Sequence, residues 1–140
     1  MKNPIYNCFW FDGQAKAAAT FYCSIFDNSK ITVDTPMVVN FELDGKKFMA
    51  LNGGPQFKFN EAISLVVDCE TQSEIDYYWS KLTEDGEEGQ CGWLKDKFGV
   101  SWQIVPTILG SLMTDPTKTQ RVMQAFMQMK KFDIETLKNA

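Results

Sequence analysis

Glu61 stands directly before the apolar run ISLVVD, and Cys91 lies in GQCGWLKDKFG, flanked by glycine and close to Lys95. A carboxylate at the mouth of a strand is either solvated, paired with a lysine such as Lys58, or partly buried. Burial would raise its pKa and make it a general base, or an acceptor for a ligand hydroxyl or amine. A thiol becomes more reactive where an ammonium points at it, though no base lies beside Cys91 in the sequence. The chemistry open to this chain is narrow, because none of its 140 residues is histidine. That removes the ordinary base near neutral pH, the serine and cysteine triads that depend on it, and the commonest nitrogen ligand for metals. Catalysis would have to rest on Asp, Glu, Cys, Tyr, Lys or a bound cofactor.

The composition sets the frame around those residues. With 44% hydrophobic residues the chain has enough material for the core of one domain spanning residues 1–140. Its apolar stretches are short and broken by charge, well under the ~20 residues that a membrane-spanning helix needs. The opening MKNPIYNCFWFDG lacks the long apolar region and cleavage site of a signal peptide. A soluble, cytoplasmic protein with no membrane partner is expected. Cys8, Cys23, Cys69 and Cys91 are irregularly spaced with no CxxC pair, so they read as reduced thiols. A net charge of −4 gives no general attraction to phosphate backbones, so nucleic acid is not an expected partner.

The order of elements repeats. Tyr6 to Phe11 reads as a strand closed by Asp12-Gly13, and QAKAAATFYCSIF as a helix with Ala18, Phe21, Tyr22 and Ile25 on one side. ITV, MVVNFEL and KKFMAL read as three strands, the last two joined by a two-residue Asp44-Gly45 turn. ISLVVD then opens a second round, followed by the helix SEIDYYWSKL with Ile75, Tyr78 and Leu82 on one face, a glycine-rich stretch, CGWLKD, a turn at Phe98-Gly99, and VSWQIV. An offset of 56 residues places Asp68 on Asp12, Tyr77 on Phe21 and Tyr78 on Tyr22, and an offset of 54 places Gly99 on Gly45 and Trp102 on Phe48. The modules span about 1–52 and 60–106, with GGPQFKF in the connector. Past Pro106 a helical tail, 107–140, is expected, with a helix starting at Asp115-Pro116 and presenting Val122, Met123, Phe126 and Met127. Methionines suit exchangeable contacts, so this helix either packs on its own domain or covers a pocket or dimer seam.

The segments CFWFDGQAKAAATFYCSIFDNSKI, FELDGKKFMALNGGPQFKFNEAISL and EEGQCGWLKDKFGVSWQIVP, with the tail MQMKKFDIETLKNA, resemble the PhnB-like branch of the vicinal oxygen chelate superfamily. Members of that branch are often labelled 3-demethylubiquinone-9 3-methyltransferase. The superfamily also contains glyoxalase I, extradiol dioxygenases, and the bleomycin- and fosfomycin-resistance proteins. The resemblance implies an α+β fold in which two repeated βαβββ modules form a curved mixed sheet, or an incomplete eight-stranded barrel, around a cavity. It also implies a homodimer, sometimes built by exchange of modules. The stretch between Ile31 and Phe41 is shorter than the glycine-rich loop of relatives, which argues against a lid there.

Relatives that use a metal place ligands seven residues before the turn acid on the first strand of each module, and four after the turn glycine on the last. Here those positions carry Ile5, Glu61, Met49 and Gln103. Isoleucine and methionine cannot ligate a hard divalent ion as oxygen donors do, so no metal and no cofactor is expected. The same mapping turns Glu61 toward the cavity, as the catalytic candidate. Asn52, Trp93, Trp102 and Gln103 are the further expected ligand-binding residues, the tryptophans as flat walls that would otherwise be plain core.

Three functions are consistent with this pattern. The first is metal-independent binding of a small, partly aromatic molecule in the cavity. The second is an enzyme with Glu61 as its acid-base group, and with Asn52 and Gln103 positioning the substrate. The third takes the methyltransferase label literally, but DGQAKAAA after the first strand is not the glycine-rich turn of a nucleotide-type cofactor site, and the order of elements is wrong for a doubly wound sheet.

Overall fold

In the computed structural model, which describes residues 5–140, the chain forms two compact units, Met1–Lys58 and Phe59–Ala140. Residues 1–4, where the first module was expected to begin, lie outside the described residues.

The first unit runs β1 (Asn7–Phe11), α1 (Ala15–Ile25), β2 (Lys30–Asp34), β3 (Val38–Leu43) and β4 (Lys46–Asn52). Its four strands lie in the order β1-β4-β3-β2, with β1 parallel to β4 and the other pairs antiparallel. The parallel pair needs a crossover, which the intervening helix and strands supply. Asp44 (φ 50°) and Gly45 (φ 79°) both take left-handed backbone, as the expected tight Asp-Gly turn demands. The alanines of α1 let it sit close on the sheet. Ala15, Ala18, Ala19, Tyr22 and Ile25 are buried, and so are Phe9, Phe41, Phe48 and Ala50 on the strands. Phe48 stacks between Phe9 and Phe41, with centroids 5.7 and 5.4 Å away, and Tyr22 lies 6.1 Å from Phe41.

The connector is tied to this unit by Trp10. Its indole Nε1 donates to the Gly54 carbonyl at 2.8 Å, its ring meets Phe57 edge-on at 5.0 Å, and any Cβ at Gly53 would overlap the indole. The glycines of NGGPQF therefore let the backbone lie against a ring.

The second unit repeats the topology: β5 (Ser64–Cys69), α2 (Gln72–Thr83), β6 (Glu87–Glu88), β7 (Trp93–Lys95) and β8 (Ser101–Pro106), in the order β5-β8-β7-β6 with β5 parallel to β8. The strands of the described residues thus form two four-stranded mixed sheets, one in each unit. A capping box starts α2, the Thr71 hydroxyl accepting from Glu74 N–H while the Glu74 carboxylate accepts from Thr71 N–H. The buried face of α2 is Ile75, Trp79 and Leu82, so Trp79 takes the place expected for Tyr78, which is only half-buried. It packs with Leu94, Trp102 and Ile104, each burial contributing roughly 1.5–3 kcal/mol.

One register detail changes the repeat map. Cys8 pairs with Met49 in the first sheet, but Val66, not Ser64, pairs with Gln103 in the second. The first strand of the second module is therefore slipped by two residues, a shift that keeps every side chain on its original face.

The tail is helical but segmented. α3 (Ile108–Thr114) follows β8 directly, and α4 (Thr119–Phe126) begins after Asp115-Pro116 and not at it, because Asp115 uses its side chain to close a turn on Thr117. α5 (Ile134–Lys138) completes it, capped by Asp133. Val122, Phe132, Ile134 and Leu137 are buried within the unit, while Met123 and Met127 are exposed. No helix among the described residues is long and apolar enough to cross a membrane.

Candidate functional site

Strand register sets which side chains of the second unit share a face. Ser64 pairs with Ser101, Ser101 with Lys95, and Lys95 with Glu87, which makes one row across the sheet. Val66, Gln103 and Trp93 make the next row on the same side. The opposite side carries Leu94, Trp102 and Ile104 against α2. A cavity of about 440 Å³ opens along the first row, lined by Glu61, Glu87, Glu88, Gly89, Gln90, Trp93, Leu94, Lys95 and Ser101.

Glu61 does line this cavity, but not as expected. It sits in a turn before β5, is exposed, and its Oε1 is 3.0 Å from Lys95 Nζ. The hydrogen bond from Lys95, followed by the attraction of the same ammonium, holds its carboxyl below the ordinary value of 4.5. Of the two readings the sequence left open, the carboxylate is thus the one paired with a lysine, Lys95 in place of Lys58, and the rise in pKa that burial would bring does not occur. A lowered pKa makes the carboxylate a weaker base, and the ammonium occupies an oxygen that would take the proton.

Trp93, half-buried, forms a wall of the cavity. Trp102 does not. It is 2% exposed, and its Nε1 donates to Asp96 Oδ2 at 2.8 Å, on the α2 side of the sheet. The alternation of β8 decides this, since Trp102 and Gln103 must point to opposite faces. Gln103 faces the side of Trp93 and donates through Nε2 to Ser64 Oγ at 2.9 Å. Asn52 belongs to the first unit, where its Oδ1 accepts from Ala15 N–H at 2.9 Å and its Nδ2 donates to the Pro36 carbonyl at 3.0 Å. Gln14, the residue before α1, makes no side-chain cap, so Asn52 caps the helix from the end of β4. Cys91, half-buried with φ 57°, is not approached by Lys95, whose ammonium is on Glu61.

Several residues of the site were not singled out from sequence. Ser101 is 1% exposed, and its Oγ finds no hydrogen-bond partner among the described residues. Glu87 stands across from Lys95, and Glu88 accepts from Trp79 Nε1 at 2.8 Å. The signals were present: in VSWQIV the serine alternates with tryptophan, and EDGEEG is an acidic run.

The tail braces the loop that bears Gln90 and Trp93. Cys91 and Gly92 N–H donate to the Met129 and Lys130 carbonyls, both at 2.8 Å, and Phe132 lies under Gly92 so closely that a Cβ there would overlap its ring. Gln72 holds the tail from α2, donating to the Phe132 carbonyl and accepting from Ile134 N–H, both at 2.9 Å.

Neither group implied by this fold suits these residues. At the positions where related folds carry metal ligands, Ile5 and Met49 offer hydrocarbon and thioether, Glu61 is paired with Lys95, and Gln103 is bonded to Ser64. The strand slip further makes Ile63, and not Glu61, the counterpart of Ile5. Among the described residues no three His, Cys, Asp or Glu side chains are grouped to hold an ion. For adenosylmethionine, the turn between β1 and α1 offers a single glycine, Gly13, while the Trp10 ring fills the space at Gly53 and its Nε1 takes the Gly54 carbonyl.

The family model for 3-demethylubiquinone-9 3-methyltransferase matches residues 3–105. Among solved structures, a PhnB protein of Bacillus cereus carrying the same methyltransferase label is 34% identical, with a TM-score of 0.69 over 75% of this chain and 100% of that one. A Pseudomonas aeruginosa protein is 17% identical, with a TM-score of 0.63 over 74% of this chain and 97% of that one. The fosfomycin resistance protein FosX of Listeria monocytogenes, complexed with Mn(II) and sulfate, is 14% identical, with a TM-score of 0.58 over 80% of this chain and 96% of that one. No curated protein matches the sequence. The fold and the 34% identity agree with the family model, and the chain belongs to the 3-demethylubiquinone-9 3-methyltransferase-like, or PhnB-like, family.

Proposed function

We infer that this protein binds a small organic molecule in the second-unit cavity and does so without a metal. The observation that carries the reading is the cavity itself. Its volume of about 440 Å³ suits a small ligand, Trp93 offers a flat apolar wall, and Glu61, Glu87, Gln90, Lys95 and Ser101 bring polar groups that can fix a ligand's orientation. The enzyme reading, with Glu61 as acid-base group, is disfavoured because the Lys95 ammonium occupies that carboxylate and lowers its basicity. Methyl transfer is disfavoured by the single glycine of the β1–α1 turn and by Trp10 filling the space at Gly53. The protein is read as a cytoplasmic homodimer.

Native mass spectrometry of the untagged protein tests this, since a histidine tag would add metal ligands that the chain lacks. A dimer mass carrying an additional organic mass and no metal is the expected result. One divalent ion retained per chain would overturn it, and would redirect assays toward lyase or dioxygenase chemistry.

A further inference from the structure

Ser101 poses a question that ligand binding in general does not answer. Its hydroxyl lies in the wall of a cavity, yet it is covered and has no hydrogen-bond partner among the described residues. A buried hydroxyl without a partner is unfavourable, and it persists where something outside the resting fold bonds to it. Lys95 stands directly across the strand pair from Ser101, but its ammonium is engaged by Glu61. On the other side of Lys95, Glu87 is its cross-strand partner in β6. One ammonium is thus placed between two carboxylates, both in the lining of the cavity.

We propose that the cavity takes an organic cation, an amine or ammonium beside a hydroxyl or carbonyl on an apolar body, and that this cation replaces Lys95 on Glu61. Lys95 turns to Glu87, which keeps it paired and uncovers Ser101. The Ser101 hydroxyl then bonds the polar group of the ligand, and the apolar body lies against Trp93. The exchange is easy because an ion pair this exposed holds its partners weakly. It also selects charge: an anion would meet Glu61 and Glu87, whereas a cation leaves each carboxylate with one positive partner. This inference rests on the cavity being the binding site, and adds the ligand class and the residues that choose it.

The test uses three probes of one shape on the full chain: 2-amino-1-phenylethanol, 1-phenyl-1,2-ethanediol and mandelate. Binding is followed by amide chemical shifts in the second unit. The expected result is that the amine alone binds, shifting the Glu61, Lys95 and Ser101 resonances. Glu61→Gln should weaken it about tenfold or more, and Ser101→Ala about fivefold, with the fold of both variants checked by circular dichroism. Glu61 is exposed and the Ser101 hydroxyl is unbonded, so neither change removes a packing contact. Equal binding of mandelate or the diol would overturn the cation selection while leaving the cavity reading intact. Binding of the amine that ignores both substitutions would overturn the exchange at Glu61. Failure of all three probes to shift any cavity resonance would overturn this inference and the cavity reading together, whereas an organic mass retained in the native spectrum alongside that failure would overturn only this inference.

Discussion

The Glu61 carboxylate and the Lys95 ammonium meet at 3.0 Å, joining the turn before β5 to the strand β7. The pair lowers the Glu61 pKa, first through the hydrogen bond and then through the attraction of the charges. A depressed carboxyl pKa contributes stability that is fully present above the unfolded value and is lost as pH falls through the folded one. The Glu61 side-chain carbonyl resonance should therefore titrate below the ordinary 4.5, and move up toward it in Lys95→Met. Urea midpoints should fall less steeply with acid in Glu61→Gln than in the native chain, and raised salt should shrink the difference. A Glu61 that titrates at its ordinary value in the native chain would mean that the ion pair does not persist in solution.

Ser101 makes an opposite kind of prediction. Removing a hydroxyl that bonds nothing takes away only the cost of burying it, so Ser101→Ala should leave stability unchanged or raise it by up to about 1 kcal/mol. Urea unfolding measures this directly. A loss of more than that would show that the hydroxyl has a partner in the folded protein.

Gly92 should tolerate no side chain. Its φ of 82° disfavours any other residue, and a Cβ would overlap Phe132. Gly92→Ala should cost roughly 1–3 kcal/mol, and Phe132→Ala, which empties a buried site, roughly 3–5 kcal/mol. Because the Cys91 and Gly92 amides are bonded to Met129 and Lys130, their hydrogen exchange should quicken in Phe132→Ala more than that of β5. Equal effects everywhere would mean that the tail stabilises the unit without holding this loop.

How much of this was legible in the sequence depends on the range of the interaction. Alternation and helical spacing carried the repeated order of elements, and the Asp44-Gly45 turn was local enough to read from two residues. The two-residue slip of β5 was hidden, because counting from Asp12 and Asp68 assumes equal strand registers, and register is set by pairing. Trp79 was missed in favour of Tyr78, which differs by a single position on the helix, within the width of an amphipathic face. Trp102 was misplaced for a related reason: a tryptophan on an alternating strand fits either face, and only the packing of α2 decides. Glu61 was picked out as a site residue, but its partner, 34 positions along the chain, could not be found by counting.

Asn52 is the residue whose two readings differ most in outcome. The sequence offered it as a ligand contact, while in the fold both ends of its amide serve the first unit, one as the cap of α1 and one on the β2–β3 turn at Pro36. Loss of a helix cap costs about 1 kcal/mol, and a second hydrogen bond adds a comparable amount, so Asn52→Ala should destabilise by about 1–2 kcal/mol. Asn52→Asp keeps an oxygen for the Ala15 N–H and loses the donor to Pro36, so it should recover part of that stability. Affinity for the amine probe should be the same in the native chain and in both variants when measured well below their melting temperatures. If Asn52→Ala instead weakens the probe while its urea midpoint is unchanged, Asn52 is a ligand contact and its capping bond contributes nothing to the fold.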